Sequence, residues 1–252
     1  MQFTVLENLP LVPGVFRMTL SGDTRTLTHP GQFVQVQVPG FYLRRPLSVF
    51  DWSPAEQGTV TLVYKALGNG TEALGRIGAG AALDLLCGLG NGFQPEAAQA
   101  GQAKAPLLMG GGIGVPPLYG LCKALLTLGQ TPTAVLGFNT AREVILADDF
   151  QALGVRTVVA TADGNAGVKG FVTDAAEALG GGFDYVYACG PEPMLKAVYA
   201  LCERHGVGGQ FSFEERMACG FGACMGCSCQ AKYGSKRICK DGPVLMMEEI
   251  VW

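Results

Sequence analysis

The hydrophobic rhythm of the chain changes near residue 100, and that change constrains the fold more than any single motif. Up to about residue 99 the pattern has a period of two. Gln32-Phe33-Val34-Gln35-Val36-Gln37-Val38 is the clearest case, and such alternation marks a half-buried strand. Shorter runs of strand character occupy residues 3–7, 16–20, 47–52, 59–67 and 83–86, several of them punctuated by turn pairs such as Pro13-Gly14, Pro30-Gly31 and Pro39-Gly40. Six short strands predict a small closed barrel, because closure removes exposed sheet edges. One short helix over residues 72–77 interrupts the series, with Thr71 as its expected N-cap.

From about residue 103 strand and helix alternate. Residues 105–109, 133–138, 155–161, 185–189 and 210–213 read as strands, and residues 115–128, 148–153, 172–179 and 192–205 as helices. This succession predicts a parallel sheet covered on both faces. Residues from about 214 onward are rich in Cys, Gly and Lys and show little periodicity. The fold class is therefore a β barrel plus α/β, with expected units at residues 1–99, 100–211 and 212–252.

Composition excludes several functions. Apolar residues make up 48% and charged residues 15% of the chain, which leaves ample material for cores and none of the signature of disorder. With 18 basic and 21 acidic residues there is no electrostatic footprint for nucleic acid. The first basic residue is Arg17, so a signal peptide is not expected. Residues 105–122 carry no charge, but five glycines and three prolines make them a poor continuous helix, so no membrane association is expected and the location is expected to be cytoplasmic.

The nine cysteines are an odd number, with Cys87, Cys122, Cys189 and Cys202 scattered and five crowded between Cys219 and Cys239. That distribution does not suit a disulfide framework. The spacing Cys219-x4-Cys224-x2-Cys227, with Cys239 eleven residues further on, is the one by which plant-type 2Fe-2S clusters are wrapped. Four thiolates complete two tetrahedral irons, and Gly220, Gly222 and Gly226 let the loop curl. The rival is a structural zinc site. Such sites usually use two CxxC pairs, and these four cysteines contain one. Cys229 is left over, and its plain reading is a free thiol.

Three further motifs stand at strand ends. Gly110-Gly111-Gly112-Ile113-Gly114 follows the first α/β strand and opens a helix. Glycines there allow close backbone approach to a pyrophosphate at a helix N-terminus, although the motif is not GxGxxG. Cys189-Gly190-Pro191 lies at another strand end and would share the ligand-binding edge of the sheet; alone it reads as an ordinary helix start. Arg45-Pro46-Leu47-Ser48, with Gly70-Thr71 before the short helix, offers an arginine fork for phosphate. His29 and His205 have no companions at catalytic or metal spacing, and no catalytic side chain is expected. Lys232, Lys236, Arg237 and Lys240 form a basic run that is either solvated loop or a surface for an acidic partner. The apolar Val244-Leu245-Met246-Met247 is either interface or packed against the barrel.

Taken in order, these motifs resemble the ferredoxin–NADP reductase family. With Glu215-Arg216-Met217-Ala218-Cys219-Gly220 and Cys239-Lys240-Asp241-Gly242-Pro243-Val244 added, the whole chain is similar to the electron-transfer subunits of NAD-dependent dihydroorotate dehydrogenases. The resemblance implies an FAD-binding barrel, an NAD-binding α/β unit and a 2Fe-2S segment. Arg45, Pro46, Leu47 and Ser48 would bind the flavin, Val63, Tyr64 and Lys65 would line it, and Gly70 and Thr71 would hold its pyrophosphate. Gly110, Gly111, Gly112, Ile113, Gly114, Cys189, Gly190 and Pro191 would meet NAD. The implied function is an electron relay in pyrimidine biosynthesis, beside an FMN-containing catalytic subunit in a heterotetramer of two plus two. The same relay in an NADH-dependent ferredoxin:NADP oxidoreductase or a sulfide dehydrogenase is the near alternative. A zinc-stabilised nucleotide-binding module without redox role is the distant one.

Overall fold

The computed structural model describes residues 1–100 and 103–252. The expected boundary between residues 99 and 100 abuts residues 101–102, which lie outside the described residues.

Six antiparallel strands, β1 (Gln2–Val12), β2 (Val15–Gly22), β3 (Phe33–Gln37), β4 (Arg45–Ser53), β5 (Gly58–Lys65) and β6 (Ala82–Leu89), close into a barrel of order β1-β2-β5-β4-β3-β6. Its interior is the apolar half of the period-two pattern. Met18, Leu20, Val34, Val36, Val60, Leu62 and Leu85 are all fully buried there. Full burial of each such side chain stabilises the fold by about 1.5–3 kcal/mol. Helix α1 (Asn69–Leu74) starts earlier than the sequence suggests. Its N-cap is Gly68, in extended backbone, and Thr71 lies inside the first turn. The Thr71 hydroxyl accepts the Leu67 amide at 3.0 Å and donates to the Gly68 carbonyl at 3.1 Å, so it braces the turn from within instead of capping it.

After a short helix α2 (Pro95–Ala100) come β7 (Pro106–Gly111), α3 (Pro116–Thr127), β8 (Thr133–Phe138), α4 (Ala147–Ala152), β9 (Arg156–Thr161), β10 (Val168–Lys169), α5 (Val172–Ala178), β11 (Tyr185–Cys189), α6 (Glu192–His205) and β12 (Gly208–Ser212). The strands form one parallel sheet of order β10-β9-β8-β7-β11-β12. One face packs on Leu118, Leu121 and Leu125 of α3, the other on α5 and α6 through Val172, Ala176, Leu195 and Val198. Burial on both faces is why these strands read as continuous apolar runs. The barrel docks on the α3 side, where Phe50 stacks on Tyr119 with centroids 4.3 Å apart and Lys123 bonds Asp51 at 2.7 Å.

The final region is less irregular than its sequence implies. β13 (Ser228–Ala231) and β14 (Gly234–Arg237) make a hairpin, and β15 (Val244–Met246) adds antiparallel to β12. The apolar run at 244–247 therefore belongs largely to the edge of the sheet, where Val244 shares a core with Phe50 and Val63 and Leu245 shares one with Phe33. Val244 and Leu245 are buried at the end of the sheet, with Asn91 bonding both the amide and the carbonyl of Val244. No helix among the described residues is long and apolar enough to cross a membrane.

Candidate functional site

In the parallel sheet the chain leaves β7 toward β8 on one side and later returns to place β11 on the other. Their carboxyl ends thus flank a topological switch point, where open α/β sheets bind ligands. Cys189 is in register with Gly110, which sets the two sequence motifs side by side. They touch through glycine. A Cβ on Gly114 would run into the Cys189 carbonyl and lie 2.7 Å from the Gly190 Cα, and one on Gly111 would lie 2.5 Å from Met194 Sδ. Gly112 has φ +54, a left-handed value that favours glycine. The loop ends in the turn Gly112–Gly114 and then Pro116 at the start of α3.

The barrel supplies the opposite wall. Arg45 begins β4, and its guanidinium lies over Gly70, where a Cβ would be 2.7 Å from Cζ. Nη1 donates to the Leu43 carbonyl at 2.7 Å, and Cζ sits 5.2 Å from the Phe41 ring centroid. Arg45 and Gly70, distant in sequence, are thereby one surface. Pro46 is exposed, while Leu47 and Ser48 are half-buried. On β5, Val63 is buried toward α3 and Lys65 is exposed. Tyr64 departs from the expected role: its side chain points into the barrel and its Oη donates to Asn8 Oδ1 at 3.0 Å, so only its backbone is available to the cleft. Burial pushes the Tyr64 phenol up to about 12.

A cleft of about 830 Å³ joins the two walls, lined by Arg45, Pro46, Gly190, Pro191, Phe213 and Trp252 among others. Phe213 and Trp252 were not singled out in the sequence. Their rings are 5.5 Å apart, with Lys196 Nζ 5.4 Å from the Trp252 centroid. No spacing rule marks such a pair, because they meet only after β15 has folded back on the sheet. The histidines lie away from the cleft, His29 bonding Thr28 and His205 pairing with Glu177 at 3.1 Å.

The four cysteines of the spaced motif are brought together as two pairs. The Cys224 amide donates to Cys219 Sγ at 3.4 Å, and the Cys239 amide to Cys227 Sγ at 3.3 Å. Among the described residues no three potential ligands converge on a single point. Two pairs are what two irons with two terminal thiolates each require, whereas one tetrahedral zinc needs four sulfurs around one centre. The loop is bent by Gly220 and Gly222, and by Met225, which holds a left-handed φ of +61. Burial opposes ionisation of Cys219, but amides from Cys224, Phe221 and Ala223 outweigh it and bring that thiol down to about 6. Burial, reinforced by the neighbouring Cys227, pushes Cys239 up to about 12. Cys227 and Cys239 form the buried floor, while Cys224, Phe221 and Met225 are exposed at the lip.

Much of the basic run is spoken for. Arg237 makes a two-toothed pair with Asp241 (2.8 and 3.0 Å) and donates to the Gly222 carbonyl at 3.1 Å, and Lys236 pairs with Glu249. Hydrogen bonds from Arg237 hold the Asp241 carboxyl down at about 2. Only Lys232 and Lys240 of the four stay exposed.

A closed antiparallel barrel set against a doubly wound sheet, with an arginine on one wall of the cleft and the Gly190-Pro191 strand end on the other, is the layout of a reductase that joins flavin to pyridine nucleotide. A family model for the iron-sulfur cluster binding domain of dihydroorotate dehydrogenase B matches residues 214–251, and one for the oxidoreductase NAD-binding domain matches residues 108–200. The electron transfer subunit of dihydroorotate dehydrogenase B (NAD(+)) from Geobacillus sp. (strain WCH70) is 43% identical over 259 residues, covering 99% of this chain and 98% of that one. Its counterpart from Bacillus pumilus (strain SAFR-032) is 42% identical, covering 98% and 96%. The chain belongs to the family of dihydroorotate dehydrogenase B electron transfer subunits. Among solved structures, that of an NADH-dependent reduced ferredoxin-NADP oxidoreductase superposes with a TM-score of 0.87 at 31% identity, over 99% of this chain and 90% of that chain. Phthalate dioxygenase reductase, at 16% identity and a TM-score of 0.65 over 81% of this chain and 64% of that one, shares the fold.

Proposed function

We propose that this chain relays electrons from a catalytic partner to NAD, through a 2Fe-2S cluster on Cys219, Cys224, Cys227 and Cys239 and an FAD held against residues 45–48. The observation that carries the reading is the arrangement of those four cysteines as two pairs directly on the flavin barrel, with Phe33 of β3 packed in one core with Cys227 and Cys239. Flavin and cluster supply the chemistry: the first exchanges two electrons with a nicotinamide and the second passes them singly.

The protein's own part is binding and orientation. Arg45 supplies a charge-assisted contact to an FAD phosphate, Gly70 leaves space for it, and Thr71 stiffens the adjoining turn. Ser48 and Lys65 face the flavin, and Val63 and Tyr64 meet it through their backbone. The glycine loop and Cys189-Gly190-Pro191 receive the dinucleotide at the switch point. In this assignment residues 1–99 bind FAD, 100–211 bind NAD and 212–252 carry the cluster. The partner is an FMN-containing subunit that oxidises dihydroorotate to orotate, two copies joining two of this chain in the cytoplasm.

Purified alone, the chain should pass electrons from NADH to an artificial dye yet show no dihydroorotate oxidation, and dihydroorotate-dependent NAD reduction should appear when the partner is added. Dihydroorotate-dependent NAD reduction by the isolated chain would overturn the reading. A second reading, service to a ferredoxin:NADP oxidoreductase, is favoured by the 0.87 superposition alone. It predicts electron exchange with ferredoxin, independent of dihydroorotate, instead.

A further inference from the structure

Period two along β3 sends Val34 and Val36 into the barrel and Phe33 and Gln35 out of it. An outward glutamine is ordinarily solvated, but Gln35 is fully buried, and neither Nε2 nor Oε1 has a hydrogen-bond partner among the described residues. Leaving a buried amide unpaired forfeits its hydration with nothing in return. Two other buried glutamines, Gln32 and Gln210, are satisfied. Gln32 accepts the amides of Thr28 and His29 and donates to the Gly90 carbonyl, and Gln210 both donates to and accepts from Gln94. Gln130 shares the unpaired state but precedes β8, at the far end of the sheet from the cleft.

What faces Gln35 is the cysteine loop. A Cβ on Gly220 would lie 2.6 Å from Gln35 Nε2 and 2.7 Å from its Cδ, and Gly220 directly follows Cys219. On the backbone side Gln35 is in register with Pro46, inside the Arg45 to Ser48 segment. An unpaired amide thus sits between the two cofactor sites, aimed at the cysteine loop.

We propose that Gln35 is a positioning residue for the cluster: its Nε2–H donates to a sulfur of the cluster's shell on the Gly220 side and so raises the cluster's reduction potential. The inference rests on the proposal that the four cysteines hold a 2Fe-2S cluster. The physical basis is general. Reduction adds negative charge, a hydrogen bond to sulfur stabilises that charge, and potentials of iron–sulfur centres follow such bonds.

The test is a redox titration of the anaerobically purified chain, following the cluster by electron paramagnetic resonance and the flavin by absorbance. Gln35→Leu and Gln35→Met remove the donor at similar volume, and Gln35→His restores an N–H. The expected result is a full cluster in both apolar variants. Its potential falls enough to move the electron-sharing equilibrium about tenfold toward FAD, which is about 59 mV for a one-electron couple. FAD content and potential should not change, and Gln35→His should recover most of the shift. Failure of both apolar variants to hold a cluster, with FAD retained and the cluster regained in Gln35→His, supports the same contact. A wild-type cluster potential in either apolar variant overturns the proposal, as does loss that Gln35→His does not repair. Wild-type protein without iron would instead overturn the cluster reading itself.

Discussion

The dinucleotide crevice and the cysteine loop are built by opposite means. The crevice is made of backbone: Gly110 to Gly114 and Cys189 to Pro191 are pinned at the ends of paired strands, and the fit is so close that Gly114 has no room for a Cβ. The loop is made of side chains. Residues 213–227 contain no helix or strand, Met225 carries left-handed strain, and thiols are held by amide contacts of 3.3–3.5 Å. A left-handed non-glycine residue costs on the order of 1–2 kcal/mol and persists where the surroundings enforce it. The crevice is fixed by strand pairing and close glycine packing, whereas the loop is fixed by left-handed turns and amide contacts to sulfur.

The largest effect that can break this contrast falls on the loop. Cys219→Ser, Cys224→Ser, Cys227→Ser or Cys239→Ser should each abolish the cluster and raise amide exchange across residues 219–227, while exchange at residues 106–114 stays at wild-type level. Cys229→Ser should keep full iron. Hydrogen-exchange mass spectrometry with iron analysis reads both, and a crevice that loosens together with the loop would erase the distinction. Next comes Arg45→Ala. It should weaken FAD by about 1.5–3 kcal/mol, roughly ten- to hundredfold in Kd, seen as flavin lost on dilution and gel filtration. Gly114→Ala sharpens the crevice side. Overpacking against the Cys189–Gly190 backbone should cost about 1–3 kcal/mol in stability and weaken NADH binding, with iron content unchanged.

The smallest effect concerns acid. Hydrogen bonds from Arg237 hold Asp241 at about 2 in the folded protein, below its ordinary value of 3.8. A carboxyl depressed in this way adds stability that is fully present above about pH 4 and is lost as pH falls toward 2. The pair is one-third exposed, so solvent screening limits its worth to below about 1 kcal/mol. Asp241→Asn should lower Tm slightly at pH 7, and the difference from wild type should vanish by pH 2. A constant difference across that window would assign the effect to packing.

Legibility in the sequence followed the same division. The barrel and the parallel sheet were readable because each strand buries a periodic apolar face, and the cysteine spacing was readable because two irons impose it. Tyr64 was readable in principle: it stands two residues from Leu62, so both must face the barrel interior. Other features arise only through tertiary contact. Thr71 has the residue type of a cap, yet the helix starts where Gly68 extends the chain. β15 is a three-residue strand whose only signal is its partner β12. Gln35 looks like the wet half of an alternating strand and becomes buried because the cysteine loop, 185 residues later at Gly220, covers it.

Cys219, Cys224, Cys227 and Cys239 are proposed to wrap two irons beside a flavin. Iron, acid-labile sulfide, zinc and flavin analysis of the anaerobically purified chain tests it most directly. Two irons, two sulfides and one FAD per chain are expected, with an electron paramagnetic resonance signal that appears on reduction. About one zinc per chain with neither iron nor sulfide would contradict it.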